Sequence, residues 1–574
     1  MVRGFRGGAN GVGGIDRRGV IISGLTLLAG CGGGGSSGGG GGTPAPSPTP
    51  TPTPSPTSNP ADALNFDVVV YGSNVAGLAA LMRAGGRRGR RVCIIEPYTK
   101  FGGIHAAGLS HVDYADATLI GGDVSSRYLG LIASYAGATA GRWDFEPKQA
   151  QLAAETLISR YAAASSLNAP VETNQVMTEA TAQGTRIKGI QTTAGLVTGK
   201  VFIDASYEGD LMAGALGPNG YTFGRESASE HNEATAGYLA GRSQLGTVAV
   251  GLSPPADYPY LPDPNLAKGD ADDRYQAYNF RLPLTRNAAN RIPFNKPSGY
   301  DTSLYSTQLR FLAALGYTKF ARDRTTQSIG FQAALPNGKV NWNGLDMLNG
   351  NVGYADGDWA KRRQIVEAHN TWQQGLMWCI ANDPIAANYG LGALQADAAD
   401  CGLCADEFPD SPYGAGWPFW LYVREGRRLK AIYKMTAGDL TPAVGGGSPT
   451  KATSIGRWKY AWDIHLVQGF YKPADRSRVY VEGDPLNTGQ PTAVYDIPAE
   501  CMLPPKASCI NLIVPTCAGF SHVAWGAHRM EVAQGICGEA AGEIAAWACE
   551  TQQPVQDYSY STIKQRLTQY GTVL

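Results

Sequence analysis

The stretch "FDVVVYGSNVAGLAALMRAGGRRGRRVCIIEP", residues 66–97, decides the fold class. It begins with an apolar run, continues through a glycine-containing turn into small and aliphatic residues, and closes with a second apolar run that ends at Glu96. Two such runs on either side of a helical segment predict one parallel strand–helix–strand unit. The sequence therefore predicts an α/β fold that begins near residue 64.

The turn between the first strand and the helix has the pattern of a dinucleotide site. Gly72 allows a sharp exit from the strand, and Ala76 and Gly77 let the helix pack close to the sheet. The turn from Ser73 onward leads into a helix N-terminus, which offers free N–H groups and a positive dipole to a pyrophosphate. Asn74 stands where the usual pattern has its second glycine, and we expect it to be tolerated because asparagine adopts unusual backbone angles readily.

The second strand ends in a carboxylate at the position that suits a ribose. Glu96 lies 19 residues beyond Gly77 and is followed by Pro97; a carboxylate here accepts hydrogen bonds from ribose hydroxyls. A structural unit without a ligand is the alternative interpretation. Three later stretches resemble the further cofactor contacts of FAD enzymes: the glycine pair Gly102 and Gly103, the residues Asp204, Ala205 and Asp210 after a further strand, and Gly538 and Ala541 on a C-terminal helix.

Several stretches carry a resemblance to a known family. "EPYTKFGGIHAAGLSHVDY", "GKVFIDASYEGDLMAGAL", "DIHLVQ" and "VAWGAHRMEVAQGICGEAAGEIAAWA" resemble the bacterial FAD-dependent oxidoreductases, whose FAD domain is similar to those of glutathione reductase and the fumarate reductase flavoprotein. The resemblance runs from about residue 66 to the end of the chain. It implies FAD as the cofactor, with the C-terminal helix aimed at the pyrimidine end of the isoalloxazine.

The resemblance also implies a domain organisation. A discontinuous Rossmann-like FAD-binding domain is expected at residues 64–225 and 495–574, around a parallel sheet. An inserted mixed α/β substrate domain, residues 226–494, is expected to cover the flavin face. The many aromatic residues of this inserted region either line a substrate pocket or form its core.

Two histidines head the set of candidate catalytic residues. His465 is the first choice for a general acid or base, because it lies with Asp463 in a segment that matches a family motif. His522 and Arg529 come just before the C-terminal FAD helix, so we expect them close to the isoalloxazine. The alternative is that these polar groups hold buried loops together.

Three arginines and one further histidine form a second set of candidates. Arg424, Arg427 and Arg428 have helical spacing, and one face of such a helix offers guanidinium groups, Arg424 among them, to a carboxylate substrate. A solvated or ion-paired helix is the alternative. His105 follows the glycine pair closely and is considered as a covalent anchor for the flavin; a histidine that only lines the site is the alternative.

The cysteines do not predict a metal site. Cys401 and Cys404 form one CxxC with no partner pair or histidine at metal-ligand spacing, so a loop disulfide is the expectation for a protein outside the cytoplasm. No other cysteine pair shows such spacing, and a redox relay to the flavin would need one nearby.

The N-terminus has the features of an exported lipoprotein. Residues 1–31 combine arginines with the short apolar run "VIISGLTLLAG", which indicates a signal peptide. "RRGVI" resembles a twin-arginine signal, and "LAGC" resembles a lipobox that ends in an acylated Cys31. Residues 32–63 form a Gly/Ser/Pro/Thr-rich tether. We therefore expect a lipid anchor on the periplasmic or cell-surface face of a bacterial membrane. In a cell that has an outer membrane, we expect the anchor to lie in that membrane.

The charge balance and the motifs together define the expected function. With 48 basic and 48 acidic side chains, the chain has no global attraction to nucleic acid. The expected activity is hydride transfer between a small organic substrate and flavin N5, with a quinone, a cytochrome or oxygen as the electron partner. The alternative is a surface binding or carbohydrate-processing protein that keeps the fold with FAD structural or absent.

Overall fold

The computed structural model describes ten segments of the chain. They are residues 64–86, 89–136, 143–162, 167–168, 179–192, 195–239, 261–320, 328–329, 331–484 and 492–574. The predicted signal peptide, the predicted acylated Cys31 and the whole tether lie outside these segments. Within them, no helix combines the length and the apolar character that crossing a bilayer requires.

The described segments contain nineteen strands and fourteen α-helices. The strands are β1 (Leu64–Tyr71), β2 (Val92–Glu96), β3 (Leu167–Asn168), β4 (Glu179–Gln183), β5 (Arg186–Thr192), β6 (Gly195–Asp204), β7 (Tyr221–Thr222), β8 (Leu261–Pro262), β9 (Leu282–Thr285), β10 (Arg291–Ile292), β11 (Phe331–Leu335), β12 (Lys339–Asn343), β13 (Gly402–Cys404), β14 (Arg428–Leu429), β15 (Ser454–Trp458), β16 (Gln468–Lys472), β17 (Asp475–Glu482), β18 (Tyr495–Pro498) and β19 (Leu512–Ile513). The helices are α1 (Val75–Gly85), α2 (Gly103–Ala106), α3 (Gly130–Ala136), α4 (Pro147–Tyr161), α5 (Asp210–Leu216), α6 (Ser306–Ala314), α7 (Trp359–Asn382), α8 (Ile385–Asn388), α9 (Gly392–Ala399), α10 (Ala437–Leu440), α11 (Pro442–Gly445), α12 (His522–His528), α13 (Glu531–Thr551) and α14 (Tyr560–Gln569).

A seven-stranded sheet confirms the predicted α/β fold. Its order is β3-β2-β1-β6-β5-β4, and β19 pairs with the C-terminal half of β6. Strand β1 pairs in parallel with both β2 and β6, whereas β5 and β4 extend the sheet in antiparallel fashion. The predicted strand–helix–strand unit thus forms the centre of the sheet, and the C-terminal segment returns to it through β19.

Residues 68–71 of strand β1 are buried on both faces, as their unbroken apolar sequence requires. Val68 and Val70 point into a core that includes α1 and α13, and Val69 and Tyr71 point into the core on the opposite face. This opposite core continues without a break into the inserted region. The sheet is therefore covered by helices on one side and by the inserted region on the other.

The inserted region contains a second, antiparallel sheet with the order β10-β13-β9-β12-β11. Its aromatic side chains are core residues: Trp342 and Tyr278 have no exposed surface, and Trp372, Trp417 and Trp420 are also buried. From the sequence, these aromatic residues either line a substrate pocket or form the core, and their burial favours a role in the core. The domain limits at residues 225 and 494 stay a prediction.

The expected disulfide between Cys401 and Cys404 is absent. Both residues are buried free thiols, and β13 runs through Gly402–Cys404. Because an extended chain rises about 3.3 Å per residue, two positions three residues apart in a strand lie too far from each other for a disulfide. The turn that would bring the pair together is replaced by a strand of the second sheet.

Helices α1 and α13 pack at backbone distance. A Cβ built on Gly538 would lie 2.1 Å from the carbonyl oxygen of Ala76, and one on Gly542 would lie 2.5 Å from that of Ala80. Ala541 lies between these glycines and is fully buried. The small residues that the sequence placed on this helix are therefore needed for helix packing.

We expect the substitution Gly538→Ala to destabilise the protein by roughly 1–3 kcal/mol, because the new methyl group overlaps the Ala76 backbone. The free energy of unfolding in urea measures this effect. Gly392→Ala is the matched control, since nothing lies within 4 Å of a Cβ at this helical position, and it should be neutral or stabilise by up to about 1 kcal/mol. Equal stability of the two variants would contradict the close α1–α13 contact.

Candidate active site

The turn between β1 and α1 has the tight geometry that the sequence predicts. Gly72 has a φ of 99°, and a Cβ built on it would lie 2.6 Å from the carbonyl carbon of Ala205. A Cβ on Gly77 would lie 2.0 Å from the carbonyl oxygen of Gly72. Both positions therefore require glycine, and helix α1 begins in direct contact with the end of its strand.

Asn74 suits its position for a different reason from the predicted one. Its φ of −65° and ψ of −176° are ordinary angles for any residue. Its Oδ1 accepts a hydrogen bond from the backbone N of Gly77 at 3.0 Å, and its Nδ2 donates to Oγ1 of Thr516 at 3.1 Å. Asparagine thus acts as the N-cap of α1 and ties the turn to the C-terminal segment.

Glu96 connects the end of β2 to the same turn. The backbone N of Ser73 donates to Oε2 of Glu96 and that of Tyr98 donates to Oε1, both at 2.8 Å. The hydroxyl of Ser73 also donates to Glu96 and accepts from the backbone N of Gly102 at 2.9 Å. Burial raises the pKa of Glu96 to about 7. The carboxyl group predicted to meet a ribose therefore lies at the turn, beside the buried Pro97.

Tyr207, which the sequence analysis missed, joins the glycine pair to the C-terminal helix. Its hydroxyl accepts from the backbone N of Ile104 at 3.0 Å and donates to Oε1 of Glu531 at 2.8 Å. Gly103 has a φ of 59°, and a Cβ there would lie 2.6 Å from this hydroxyl and 2.7 Å from Cβ of Asn74. The predicted glycine pair is thus required for close approach of three chain segments.

Glu531, also missed, is the first residue of α13, and its carboxyl group lies at the N-terminus of α1. It lies near the backbone N of Val75, the first residue of α1, and this N–H group favours its ionised form. Its Oε2 has no hydrogen-bond partner among the described residues. Burial raises the pKa of Glu531 to about 7. The N-terminus of α1 therefore faces a side chain that is neutral below this pH and ionised above it.

Four of the five predicted catalytic residues converge in one cluster around Asp346. Nδ1 of His465 lies 2.6 Å from Oδ2 of Asp346, and a guanidinium nitrogen of Arg424 lies 2.9 Å from Oδ1. Nε2 of His465 lies 3.7 Å from Asp463, which forms a 2.7 Å salt bridge with Arg529. Asp346 follows Leu345, a non-glycine residue with a φ of 59°, and nothing in the sequence marked it as a partner of His465.

The charges of this cluster shift the pKa values of its members. Burial lowers the pKa of His465, and the Arg424 cation lowers it further. Burial alone would raise the pKa of Asp463, but the neighbouring Arg529 and His465 hold it below its ordinary value. The cluster therefore combines a neutral imidazole with ionised carboxylates at neutral pH.

The cluster borders a water-accessible space, which we call the cavity. Asp463 lies deep in the protein, yet 27% of its side chain is accessible to water. Asp113 is similarly 24% accessible, and the hydroxyl of Tyr460 donates to it at 3.4 Å. Arg529 donates to the hydroxyl of Tyr422 at 3.0 Å. A small molecule beside Asp463 would meet carboxylate, phenol and imidazole groups.

His522, the fifth candidate, lies outside this cluster. Its Nδ1 lies 2.9 Å from Oε1 of Glu425, which also pairs with Arg428. Gln276 links the two groups: its amide donates to Glu425 at 3.1 Å and its oxygen accepts from the backbone N of His465 at 3.0 Å. His522 is therefore placed to support the loop that holds His465.

The predicted helix around Arg424 is wrong. Residues 423–427 are non-helical, and Arg428 begins the short strand β14, which pairs with β7. The three arginines consequently point to different partners: Arg424 to Asp346, Arg427 to Asp210 and Arg428 to Glu226. Local spacing suggested a helix, but pairing with a distant strand and buried acids determines an extended conformation.

Two predicted cofactor residues have partners within the protein. Asp204 accepts from the backbone N of Met212 at 2.7 Å and that of Ser206 at 3.0 Å. Asp210 pairs with Arg362 at 2.7 Å as well as with Arg427. Contact of these carboxylates with a cofactor stays a prediction, and their present hydrogen bonds hold α5 against the inserted region.

The structure does not support His105 as a covalent anchor for the flavin. The side chain is fully buried, its Nδ1 lies 3.0 Å from the hydroxyl of Tyr128, and its ring stacks on Tyr128 and packs edge-on against Phe145. Burial lowers its pKa to about 3. His105 points into the core on the α1 side of the sheet, so the interpretation as a packed structural histidine is favoured.

The sequence matches the FAD dependent oxidoreductase family over residues 67–567. The chain belongs to this family. The protein is accordingly an enzyme and a flavoprotein, its cofactor is FAD, and it acts on a small-molecule substrate and an electron acceptor. No curated relative matches the sequence.

Solved structures align with only part of the chain. THI4 of Thermovibrio ammonificans shares 13% identity with a TM-score of 0.22, covering 30% of this chain and 73% of its own. L-proline dehydrogenase from P. horikoshii shares 12% identity with a TM-score of 0.21, covering 29% of this chain and 59% of its own. T. acidophilum thioredoxin reductase shares 21% identity with a TM-score of 0.16, covering 24% of this chain and 34% of its own. The aligned part thus spans about a third to three quarters of each of these proteins, and the similarity gives no information about the substrate.

The described residues fit FAD. The turn at Gly72, the cap on α1 by Asn74, the carboxyl of Glu96 and the close approach at Gly103 supply the tight backbone, the helix N-terminus and the ribose acceptor that a dinucleotide needs. Glu531 lies near the first amide of α1, where a diphosphate would also bind.

We expect FAD to bind more weakly as the pH rises from about 6 to about 8. Glu531 ionises in this range because its pKa is about 7, and its negative charge opposes a diphosphate at the same helix terminus. The substitution Glu531→Gln should remove the pH dependence and strengthen binding at the higher pH about tenfold, the equivalent of one pKa unit.

Quenching of FAD fluorescence by the apoprotein measures this affinity. Glu230→Gln is the control, since Glu230 is exposed and its nearest charged partner is His231. An affinity for FAD that falls with pH equally in the Glu531→Gln variant would show that Glu531 does not face the diphosphate.

Proposed function

We propose that this flavoprotein is exported and lipid-anchored, and that it transfers a hydride between a small organic substrate and flavin N5. The observation that carries the catalytic part is the convergence of His465, Asp463, Arg424 and Arg529 beside a water-accessible space. The bound FAD supplies the hydride chemistry, and the protein side chains supply proton transfer and orientation.

His465 acts as the general acid or base. Asp346 holds Nδ1 at 2.6 Å, which fixes the tautomer and leaves Nε2 as the atom that accepts or releases the substrate proton. The lowered pKa keeps the imidazole neutral at rest, so Nε2 is available to accept a proton. Asp463, 3.7 Å from Nε2, stabilises the imidazolium once the proton has moved.

The two arginines position the carboxylates and set the local charge. Arg424 fixes Asp346 from the side opposite His465, and Arg529 holds Asp463 while also contacting Tyr422. His522 supports the same loop through Glu425 and Gln276. His465, Asp463, Arg424 and Arg529 thus each have a fixed partner before substrate enters, which is the preorganisation that catalysis requires.

The location and the electron partner follow from the N-terminal sequence. A twin-arginine signal suits a protein that binds FAD before export, and Cys31 carries the lipid on the periplasmic or cell-surface side. Soluble nicotinamide cofactors are scarce outside the cytoplasm, so we propose a quinone, a cytochrome or oxygen as the electron partner.

We expect His465→Asn to lower the rate of flavin reduction by about 10²- to 10⁴-fold, because the proton-transfer group is lost. Asp346→Asn should also slow reduction, since it removes the carboxylate that orients the imidazole. The measurement is anaerobic loss of the oxidised flavin absorbance on addition of a panel of small alcohols, amines and carboxylic acids.

His231→Asn is the matched control for this experiment, because His231 lies in a surface loop beside Glu230 and should leave the rate unchanged. An unaltered flavin spectrum in each variant shows that cofactor loading is intact. If the wild-type flavin is reduced by no member of the panel, and is not reoxidised by the corresponding carbonyl compounds after chemical reduction, hydride transfer to small organic substrates is wrong.

We expect Cys31→Ser to abolish incorporation of labelled palmitate and to release the protein from the membrane fraction, because the acylated side chain is lost. Replacement of Arg17 and Arg18 by lysine should retain the protein in the cytoplasm with its FAD bound. Cys549→Ser, at a cysteine within the fold, is the control for loss of a thiol. Membrane association of the Cys31→Ser protein equal to wild type would contradict the lipid anchor.

A further inference from the structure

Eight arginines are buried in the described part of the chain, and one of them has no acidic partner. Seven form salt bridges with carboxylates. Arg281 forms none among the described residues. The seven paired arginines are Arg83, Arg225, Arg362, Arg424, Arg427, Arg428 and Arg529.

Arg281 lies beside the candidate active site, and its backbone packs closely against the segment around Gly108. It is 4% exposed and immediately precedes β9. Its carbonyl oxygen would lie 2.0 Å from a Cβ on Gly108, in the segment that follows the glycine pair. Its guanidinium lies 5.5 Å from the centre of the Tyr422 ring, which Arg424 and Arg529 approach at 4.8 and 5.9 Å.

The hydrogen-bonding capacity of Arg281 is largely unused. One terminal nitrogen donates to Oδ1 of Asn341 at 3.3 Å, and the buried Nε has no partner among the described residues. Burial lowers the pKa of Arg281 to about 10, so the group remains charged at neutral pH. A buried charge without a counter-ion is strongly unfavourable, and the other seven arginines show how this protein ordinarily avoids that state.

The acidic groups around the cavity are not the counter-ion. Asp346 is shared by Arg424 and His465, and Asp463 is paired with Arg529. Asp113 acts on Arg281 only at longer range and forms no salt bridge with it. The missing negative charge must therefore come from a molecule that enters the cavity.

We propose that Arg281 binds the carboxylate of the substrate, and that the substrate is a monocarboxylate that carries hydroxyl groups. A planar guanidinium with free donors matches a carboxylate in geometry as well as charge. This inference rests on the proposed function, since it names the substrate class of the same cavity.

The hydroxyl groups follow from the accessible carboxylates of the cavity. Asp463 and Asp113 expose about a quarter of their side chains and, when ionised, can only accept hydrogen bonds. Hydroxyls donate to such groups, whereas a second carboxylate on the substrate would be repelled by them. The cavity thus selects one carboxylate at Arg281 and donors on the remaining carbons.

The test measures binding to the FAD-loaded full chain without turnover. The probes are gluconate and lactate as hydroxylated monocarboxylates, succinate as a dicarboxylate, and glycerol as a neutral polyol. Isothermal titration calorimetry and the shift of the thermal unfolding temperature give the affinities. Gluconate or lactate should bind to the wild type, and succinate and glycerol at least about tenfold more weakly.

Arg281→Met should weaken binding of the hydroxy acids at least about tenfold and leave the affinity for FAD unchanged. Without ligand its unfolding temperature should equal or exceed that of the wild type, because an unpaired buried charge is removed. Arg281→Lys, which keeps the charge but loses the planar fork, should retain part of the affinity. Arg457→Gln, which breaks the surface pair with Asp496, is the control and should bind as the wild type does.

Three results would overturn the proposal: no binding of either hydroxy acid to the wild type, equal binding to the Arg281→Met variant, or loss of FAD rather than of the acids in that variant. The last would identify the cofactor as the counter-ion. Since no step of the test requires flavin reduction, Arg281-dependent binding of gluconate by a protein that never reduces its flavin would refute the proposed function and retain this inference.

Discussion

The close contact between α1 and α13 is the constraint on which the rest of the site depends. Gly538 and Gly542 bring the backbones of the two helices together, and this fixes the start of α13 relative to the turn after β1. Glu531 then lies near the first amide of α1, and Arg529, two residues earlier, forms a salt bridge with Asp463. One helix–helix contact therefore determines the geometry of both the cofactor turn and the acid–base cluster.

Apart from Arg281, buried charge in this region is arranged in pairs, which makes the site specific and sensitive to change. A buried ion pair adds little net stability, because the loss of hydration offsets much of the attraction, but removal of one partner is costly. Asp346 is the most constrained group, since it serves Arg424 and His465 at once. The orientation of the imidazole is thus fixed by the same interaction that keeps Arg424 neutralised.

The sequence predicted those parts of the structure that local patterns determine. The strand–turn–helix unit, the glycines at 72, 77 and 103 and the packing of the C-terminal helix follow from periodicity and from the need for close approach. Asp463, His465, Arg424 and Arg529 were candidates individually, with the help of a family resemblance, but the sequence did not predict that they lie together.

The rest could not be predicted because its causes are distant in sequence. Asp346 is 119 residues from His465, and Tyr207 is 324 residues from Glu531; no local pattern links such pairs. The arginines at 424–428 have helical spacing, yet pairing of β14 with β7 makes this segment extended. No sequence pattern marked Arg281, because what distinguishes it is the lack of an acidic partner, and only the folded structure shows which arginines have one.

The pairing scheme itself explains how a single anion can be selected in a site with three guanidinium groups. Arg424 and Arg529 are neutralised by carboxylates that also serve His465, so a ligand carboxylate gains little by approaching them and would have to displace an established partner. Arg281 offers the same chemistry without that competition. Asp346 and Asp463 therefore have two roles: they position the proton-transfer group, and they direct an incoming negative charge to Arg281, which has no acidic partner among the described residues. A substrate held there by one end presents its remaining carbons to His465.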